Sequence, residues 1–193
     1  MTMLPSLENL SVTPKPKPSA FVYIVAKKGF KGDNRPHLLL MGHTGQLYRR
    51  WGVPGGERDA SDSSDLFTAM REFAEELLGM HPSAKDVGDL MKKAKTIGVL
   101  SVLEQKPGYT AWMLKVDSAL QFEMSFGLPK RSIEEKYNAA LSGETKGYLW
   151  IPLPLVVNRK RPSDSLTFNA PVALGRGPLI LRGGVLGPSR NIT

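Results

Sequence analysis

Three glutamates, Glu72, Glu75 and Glu76, crowd the stretch REFAEELLGM at residues 71–80. On a helix with 3.6 residues per turn they share one face, because they are three and four residues apart. Like charges at these spacings destabilise an isolated helix by about 0.2–0.5 kcal/mol per pair. A solvated acidic surface is one explanation. A metal site is the other, because Mg²⁺ prefers oxygen ligands, shares its sites with phosphate oxygens and offsets the repulsion.

The residues around the glutamates favour a loop followed by a helix over residues 64–78. The helix has an apolar stripe that predicts its core face: Leu66, Ala69, Met70, Phe73 and Leu77. Upstream, the stretch GVPGGER contains Gly55 and Gly56, where the backbone can turn sharply and approach closely. Their carbonyl oxygens can then serve as metal ligands, so we expect the carboxylates to lie on the loop side of the helix.

The double glycine followed by REFAEELLG resembles the signature of the Nudix hydrolases. The family pattern is a glycine, five residues, a glutamate, seven residues, and then Arg-Glu-apolar-any-Glu-Glu-any-Gly-apolar. Residues 71–76 match its core without a gap, and the preceding strand that ends in WGVPGG is also typical of the family. The resemblance extends over about residues 20–155 and implies an α/β/α sandwich built on a mixed sheet.

The resemblance also implies a reaction and a role for each motif residue. Nudix enzymes cleave a nucleoside diphosphate linked to another group, with Mg²⁺ or Mn²⁺ activating the attacking water. By position, Glu75 and Glu76 would bind the metal directly, together with a carbonyl of Gly55 or Gly56. Glu72 would be a further ligand or the base that orients the water. Arg71 would brace the glutamates through an ion pair.

The chain departs from the family pattern in two places. Counted from Gly56, Asp62 stands where the first glutamate belongs, and eight residues rather than seven then precede Arg71. Counted back from Arg71, the glutamate position holds Ser63. Two residues rather than one separate Glu76 from Gly79, so we expect the helix to run one residue further. The loop spelling GGERDASDSSD resembles the coenzyme A pyrophosphatase subgroup.

Five other residues are weaker candidates for the site. The family often draws one more acid from outside the helix, and Glu144, just before the last predicted strand, is best placed. Glu104 is the second choice. His43 lies near the expected cleft and could contact substrate, and Arg49 and Arg50 could bind its phosphates.

The remaining pattern predicts strands with two helices and without strict β-α alternation. We predict strands at 20–26, 37–42, 96–104, 109–116 and 148–153, a second helix at 131–143, and little regular structure in 45–56. The first strand should be buried on both faces, and the first two strands should form a hairpin. This indicates the α/β class with a mixed sheet of the α+β type.

Charge and composition divide the 193 residues into three regions. Residues 1–18 form an extended Pro-Lys arm, 19–157 the Nudix-like domain, and 158–193 a Pro/Gly-rich extension that holds six basic residues against one acid. Apolar residues in that extension could pack on the domain. There is no cysteine, no apolar run that could span a membrane and no signal-peptide pattern. We therefore expect an intracellular, cytoplasmic protein.

Three functions remain open at this point. The first is a Mg²⁺- or Mn²⁺-dependent pyrophosphohydrolase of a small nucleotide derivative. The second keeps the chemistry but acts on capped or 5′-triphosphorylated RNA, which the basic extension would contact, or on an inositol pyrophosphate. The third is a Nudix-fold binding module without turnover, suggested by the missing loop glutamate. Many family members form homodimers, so a homodimer is one expected state.

Overall fold

The computed structural model describes residues 17–29, 32–43, 50–128, 145–158, 180–181 and 185–192. Its strands are β1 Ser19–Lys28, β2 His37–His43, β3 Arg50–Gly52, β4 Gly55–Glu57, β5 Gly98–Lys106, β6 Tyr109–Ser118, β7 Thr145–Pro152 and β8 Ile180–Leu181. Its helices are α1 Asp65–Leu78, α2 Ala84–Ile97, α3 Ala119–Ser125, α4 Leu153–Val157 and α5 Leu186–Ser189. None of the helices in these ranges combines the length and apolar character needed to cross a bilayer.

The strands form one mixed sheet around β1. The main order is β5-β6-β1-β2-β3-β8, with β4 beside the start of β1 and β7 beside β2. Strand β1 runs parallel to β6 and antiparallel to β2 and β4, and β8 runs parallel to β3. The mixed α/β class and the β1–β2 hairpin predicted from the sequence are both confirmed.

Side chains on the two faces of β1 enter two separate cores, as predicted for a strand buried on both sides. Ala20, Val22 and Ile24 face the cluster formed with α1, α2 and α3. Tyr23 and Val25 face the cluster that includes α4 and the C-terminal residues. The sheet is therefore covered on both faces, which gives the expected α/β/α sandwich.

Part of the C-terminal extension packs on the second face of the sheet. Leu181, Val185 and Ile192 are all buried in that cluster, and the Tyr23 hydroxyl donates a hydrogen bond to the Val185 carbonyl at 3.4 Å. Strand β8 pairs with β3 at Trp51. The C-terminal residues thus support the strand that leads into the double-glycine loop.

Several elements differ from the sequence prediction. Helix α2 was missed although the sequence carries its signals. A capping box between Ser83 and Asp86 encodes its start. Its apolar residues recur at helical spacing, and they are buried or partly buried against the first core: Val87, Leu90, Met91, Ala94 and Ile97. The short helices α3 and α4 were missed as well. The predicted strand at 96–104 begins two residues later, at Gly98, because α2 runs through Ile97.

Residues 45–56 were expected to hold little regular structure, yet β3 and β4 lie there. Each has three residues, and each exists through pairing with β1, β2 or β8, which no local pattern reveals. The predicted helix at 131–143 lies outside the described residues.

The packing of β8 makes a testable prediction. Leu181 is 2% exposed, so Leu181→Ala should lower the free energy of unfolding by about 2–4 kcal/mol, since it removes buried methyl groups and leaves a cavity. Val99→Ala is the control, because Val99 is 65% exposed and should change stability by less than about 0.5 kcal/mol. Urea denaturation measures both. Equal effects would contradict the packing of β8 against the second core.

Candidate functional site

Helix α1 is fixed at both ends by its own sequence. The Ser64 hydroxyl accepts a hydrogen bond from the Phe67 N–H at 3.1 Å, which makes Ser64 the N-cap. Gly79, with φ 64° and ψ 30°, ends the helix in the left-handed conformation. The helix therefore runs one residue beyond the family pattern, as predicted. Four of the five predicted stripe residues are buried, and Leu66 is partly buried.

An aromatic cluster presses α1 against the sheet. The ring of Phe73 lies 6.2 Å from Phe122 and 5.0 Å from Phe126, and Phe122 lies 5.6 Å from Trp150. The Trp150 indole donates to the buried carboxylate of Glu123 at 3.0 Å. Because Phe73 follows Glu72 directly, this packing sets the rotation of the helix and so the side on which the glutamates lie.

The three glutamates differ in exposure. Glu76 is 6% exposed, whereas the side chains of Glu72 and Glu75 are 16% and 35% exposed. A Glu76 carboxylate oxygen accepts a hydrogen bond from the Gly55 N–H at 2.9 Å. The helix and the double-glycine loop are therefore joined at this point through a backbone N–H.

The two glycines are required for different reasons. At Gly55, with φ 152°, a Cβ would lie 2.5 Å from the Ala20 carbonyl oxygen and 2.6 Å from the Phe21 Cα, so backbone atoms exclude any side chain. At Gly56 a Cβ would lie 2.6 Å from a carboxylate oxygen of Glu72. The missing side chain of Gly56 thus leaves the space that the Glu72 carboxylate occupies.

Arg71 joins the glutamates to the loop. Its Nη1 lies 2.9 Å from a Glu72 carboxylate oxygen and 2.8 Å from one of Glu75. Its Nη2 donates to the Glu57 carbonyl at 3.2 Å. Two of the three glutamates therefore converge on one cationic nitrogen. The guanidinium therefore offsets part of the repulsion between Glu72 and Glu75 within the protein itself.

Asp62 holds the other side of Arg71. Its side chain is fully buried and accepts from Arg71 Nε and Nη2, each at 3.1 Å. It also accepts from the Asp59 N–H at 3.0 Å and the Thr68 hydroxyl at 2.9 Å. Burial alone would raise the pKa of Asp62, but these hydrogen bonds, led by that from Arg71, hold the pKa below its ordinary value. Asp62 therefore anchors the arginine.

Sequence reasoning missed the partners that fix this loop. Arg58 donates from Nη2 to the Asp62 carbonyl at 3.0 Å and from Nη1 to the Asp65 carboxylate at 3.2 Å. The Thr110 hydroxyl of β6 donates to the other Asp65 oxygen at 2.7 Å. Arg58 and Asp65 lie seven residues apart and Thr110 another 45 along the chain, so no motif spacing connects the three.

The residues fit an oxygen-preferring cation by type but are not arranged around one. In the described ranges, no group of three or more acidic, histidine or cysteine side chains is placed to hold a metal ion. Glu72 and Glu75 face Arg71, and Glu76 faces the Gly55 N–H. A shared cation would therefore require Glu72 or Glu75 to turn from the guanidinium. Arg71 would keep its contacts to Asp62, which use Nε and Nη2.

The structure places Glu104 beside Lys106 and near Tyr23. Its carboxylate lies 2.7 Å from the Lys106 ammonium. Burial raises the pKa of Tyr23, and the charge of Glu104 adds to that shift, which puts Glu104 near a residue of the second core. The candidates Arg49 and Glu144 lie outside the described residues, and so do the side chains of His43 and Arg50.

No family model and no curated protein matches this chain. Among solved structures, it is similar to a MutT/Nudix family protein from Enterococcus faecalis, with 15% identity, a TM-score of 0.42, and coverage of 77% of this chain and 46% of that one. A MutT/Nudix family protein from Listeria innocua has 17% identity and a TM-score of 0.42, with coverage of 72% of this chain and 80% of that one. The Nudix domain of Shewanella oneidensis NrtR, solved with ADP ribose, has 14% identity and a TM-score of 0.41, with coverage of 72% of this chain and 75% of that one.

All three are Nudix proteins, the family that the α1 motif resembles. The match spans less than half of the Enterococcus protein. All three TM-scores are below 0.5, so these likenesses carry no argument about this chain. The resemblance to the Nudix family rests on the residues of α1 and its loop.

The buried Asp62 predicts a pH-dependent loss of stability. A carboxyl with a lowered folded-state pKa stabilises the protein above its unfolded pKa of about 3.9, and this stabilisation disappears as the pH falls through the folded value. Asp62→Asn should therefore reduce the free energy of unfolding at pH 7 by about 3 kcal/mol. Below about pH 4, the free energies of unfolding of Asp62→Asn and of the native protein should become more similar.

Asp59→Asn is the control for that measurement. The Asp59 carboxylate also faces Arg71, at 3.6 Å, but its side chain is 60% exposed, so its loss should cost less than about 1 kcal/mol. Urea denaturation at several pH values compares the three proteins. A similar effect of the two substitutions would show that burial of Asp62 is not what anchors Arg71.

The two glycines should respond differently to alanine. Gly55→Ala meets backbone atoms and should destabilise the fold by more than about 3 kcal/mol. Gly56→Ala meets only the end of a flexible side chain, so it should cost about 1 kcal/mol or less while displacing the Glu72 carboxylate. Mn²⁺ binding, followed by electron paramagnetic resonance, should then weaken in Gly56→Ala although the protein stays folded.

Gly88→Ala is the matched control, because a Cβ there meets nothing within 4 Å. It should leave both the unfolding midpoint and Mn²⁺ binding unaffected. Unchanged Mn²⁺ binding in Gly56→Ala would remove the contact with Glu72 from the description of the site.

Proposed function

We propose that this protein is a Nudix-type hydrolase that uses Mg²⁺ or Mn²⁺ to cleave the pyrophosphate of a nucleoside diphosphate linked to another group. The convergence of Glu72 and Glu75 on one cationic centre, beside Gly56 and the buried Glu76, carries this proposal. Several oxygen ligands held close to one cationic centre are what metal-dependent hydrolysis of a phosphoric anhydride requires.

The described residues divide the work of such a site. Glu75 and Glu76 would hold the cation with a carbonyl of Gly55 or Gly56, and Glu72 would hold it or orient the attacking water. The metal, when bound, would activate the water and neutralise the charge that develops on the phosphate. Arg71 positions the carboxylates. Asp62 holds Arg71 through Nε and Nη2. Glu72 and Glu75 could therefore turn from Arg71 to a metal ion while the guanidinium stays in position.

A second candidate is a Nudix-fold module that binds a nucleotide without hydrolysing it. The occupation of Glu72 and Glu75 by Arg71, which already balances their charge, favours this candidate. The decapping and inositol-pyrophosphate alternatives depend on the basic extension, whose basic residues lie mostly outside the described residues. Capped RNA and inositol pyrophosphates are therefore treated as further possible substrates of the same proposed reaction.

Removal of a metal ligand tests the proposal directly. Glu76→Gln should lower turnover by at least ~10²-fold, because an amide binds a divalent cation far more weakly than a carboxylate. Asp89→Asn is the control, since its side chain is 52% exposed on a different helix. Turnover and Mn²⁺ affinity are measured together with the unfolding midpoint. A folded Glu76→Gln protein with unchanged turnover would disprove the site assignment.

A substrate panel with Mg²⁺ and with Mn²⁺ separates the candidate functions. It contains nucleotide sugars, dinucleotides, coenzyme A, NADH, inositol pyrophosphates and capped RNA. We expect hydrolysis of a small nucleotide derivative and none after chelation of the metal. Tight binding of a nucleotide without hydrolysis of any compound would favour the binding module.

A further inference from the structure

A cavity of about 460 Å³ lies beyond the N-terminal end of α1. Its size falls within the range of about 300–1,000 Å³ that is common for small-molecule sites. It is formed by the residue before β1, the loop between β4 and α1, the first turn of α1, and the β5–β6 turn. The lining residues are Pro18, Arg58, Asp65, Gln105, Lys106, Pro107, Gly108, Tyr109 and Thr110.

Arg58 presents unused donors to this cavity. A guanidinium carries five N–H groups. Among the described residues, Nε and Nη2 of Arg58 donate to the Asp62 carbonyl, at 3.3 and 3.0 Å, and Nη1 donates to the Asp65 carboxylate at 3.2 Å. Those three contacts leave two N–H groups, one on each terminal nitrogen. The side chain is 34% exposed, so both groups remain accessible to a ligand.

The other polar groups of the cavity add donors and few acceptors. Lys106 uses one of its three N–H groups on Glu104, at 2.7 Å, and the exposed amide of Gln105 adds two more. The carboxylate of Asp65 is occupied on both oxygens, by Arg58 at 3.2 Å and by Thr110 at 2.7 Å. A ligand that complements this lining must supply acceptors, and a negative charge suits the two cations.

We infer that this cavity binds a phosphate group, held by Arg58, Lys106 and the Gln105 amide. A phosphate offers several acceptor oxygens to donors that approach from different sides, and the two remaining terminal N–H groups of Arg58 suit bidentate contact. Pro18 and Pro107 supply apolar walls for whatever the phosphate is attached to. The phosphate either belongs to the far end of a substrate held at the α1 glutamates or to a separate ligand.

The cavity is connected to the glutamates through the loop. Asp65 and Glu72 are seven residues apart, so they lie on the same face of α1 and about 10 Å apart along its axis. Arg58 holds the carbonyl of Asp62, and the carboxylate of Asp62 holds Arg71. A phosphate on Arg58 therefore contacts the residue that fixes the loop beneath the glutamates.

Titration of the full-length protein with inorganic phosphate, without divalent metal, tests this site. The amide resonances of residues 105–110, apart from Pro107, should shift in heteronuclear NMR spectra of this 21.2 kDa chain. Lys106→Gln should raise the Kd for phosphate by about threefold or more, because one charge-assisted contact is lost. Lys106→Glu should abolish the shifts. Lys106 is 63% exposed, so neither change should prevent folding.

Lys92→Gln is the matched control. Lys92 is 82% exposed and also pairs with one carboxylate, Asp89, at 3.5 Å, but it lies on α2, away from the cavity. Its Kd for phosphate should equal that of the native protein. Equal Kd values for Lys106→Gln and Lys92→Gln, or phosphate that shifts no resonance in 105–110, would overturn the inference. Since no turnover is measured, this outcome is independent of whether the protein is a hydrolase.

A second arm identifies the source of the phosphate. Phosphate is titrated again after ADP and Mg²⁺ have been added. Shifts at residues 105–110 that persist unchanged beside bound ADP support a separate phosphate ligand. Displacement of inorganic phosphate from the native protein by ADP supports one molecule that extends from the glutamates into the cavity.

Discussion

The ion pair between Arg71 and the buried Asp62 is the interaction on which the rest of the site depends. Two charges taken out of water are costly unless their remaining hydrogen-bonding groups are satisfied. Here the Asp59 N–H, the Thr68 hydroxyl and the Glu57 carbonyl satisfy them. Because these partners belong to the end of β4, to the loop and to the first turn of α1, the pair fixes the loop against the helix.

The same arginine explains how α1 can carry three close carboxylates. Its Nη1 is shared by Glu72 and Glu75, while Glu76 turns to the Gly55 N–H. Repulsion that would otherwise destabilise the helix is offset by a guanidinium and a backbone dipole. The carboxylates are thereby held close together, and a shared cation would still require Glu72 or Glu75 to turn from the guanidinium. The arrangement requires glycine at both loop positions, because backbone atoms exclude a side chain at Gly55 and a Cβ at Gly56 would displace the Glu72 carboxylate.

The sheet and its two cores give the site a rigid support. Strand β1 lies in the middle and pairs with β4, so the double glycine is tied to the best-buried strand of the fold. On the other side, β8 pairs with β3, the strand that precedes the loop. The basic C-terminal segment thus contributes packing beside the strand that leads into the double-glycine loop.

Local sequence determined much of this protein. Periodicity located α1, and spacing placed its three glutamates together, because both depend on residues within a few positions of one another. Short apolar runs with aromatic and β-branched residues located β1, β2, β5, β6 and β7 in the same way. The three-residue strands β3 and β4 gave no comparable pattern, whereas the apolar stripe of α2 was present and was not recognised.

Only the tertiary structure decided which partners the charged residues take. Asp62 was left open as a substitute for the missing glutamate, and its burial on Arg71 assigns it to support of the loop. Glu104, a candidate for the site by its place at a strand end, lies instead beside Lys106 and near Tyr23. Arg58 meets Thr110 through Asp65. Such contacts join residues from different elements, so their energies depend on how the sheet and helices pack and are not encoded in local spacing.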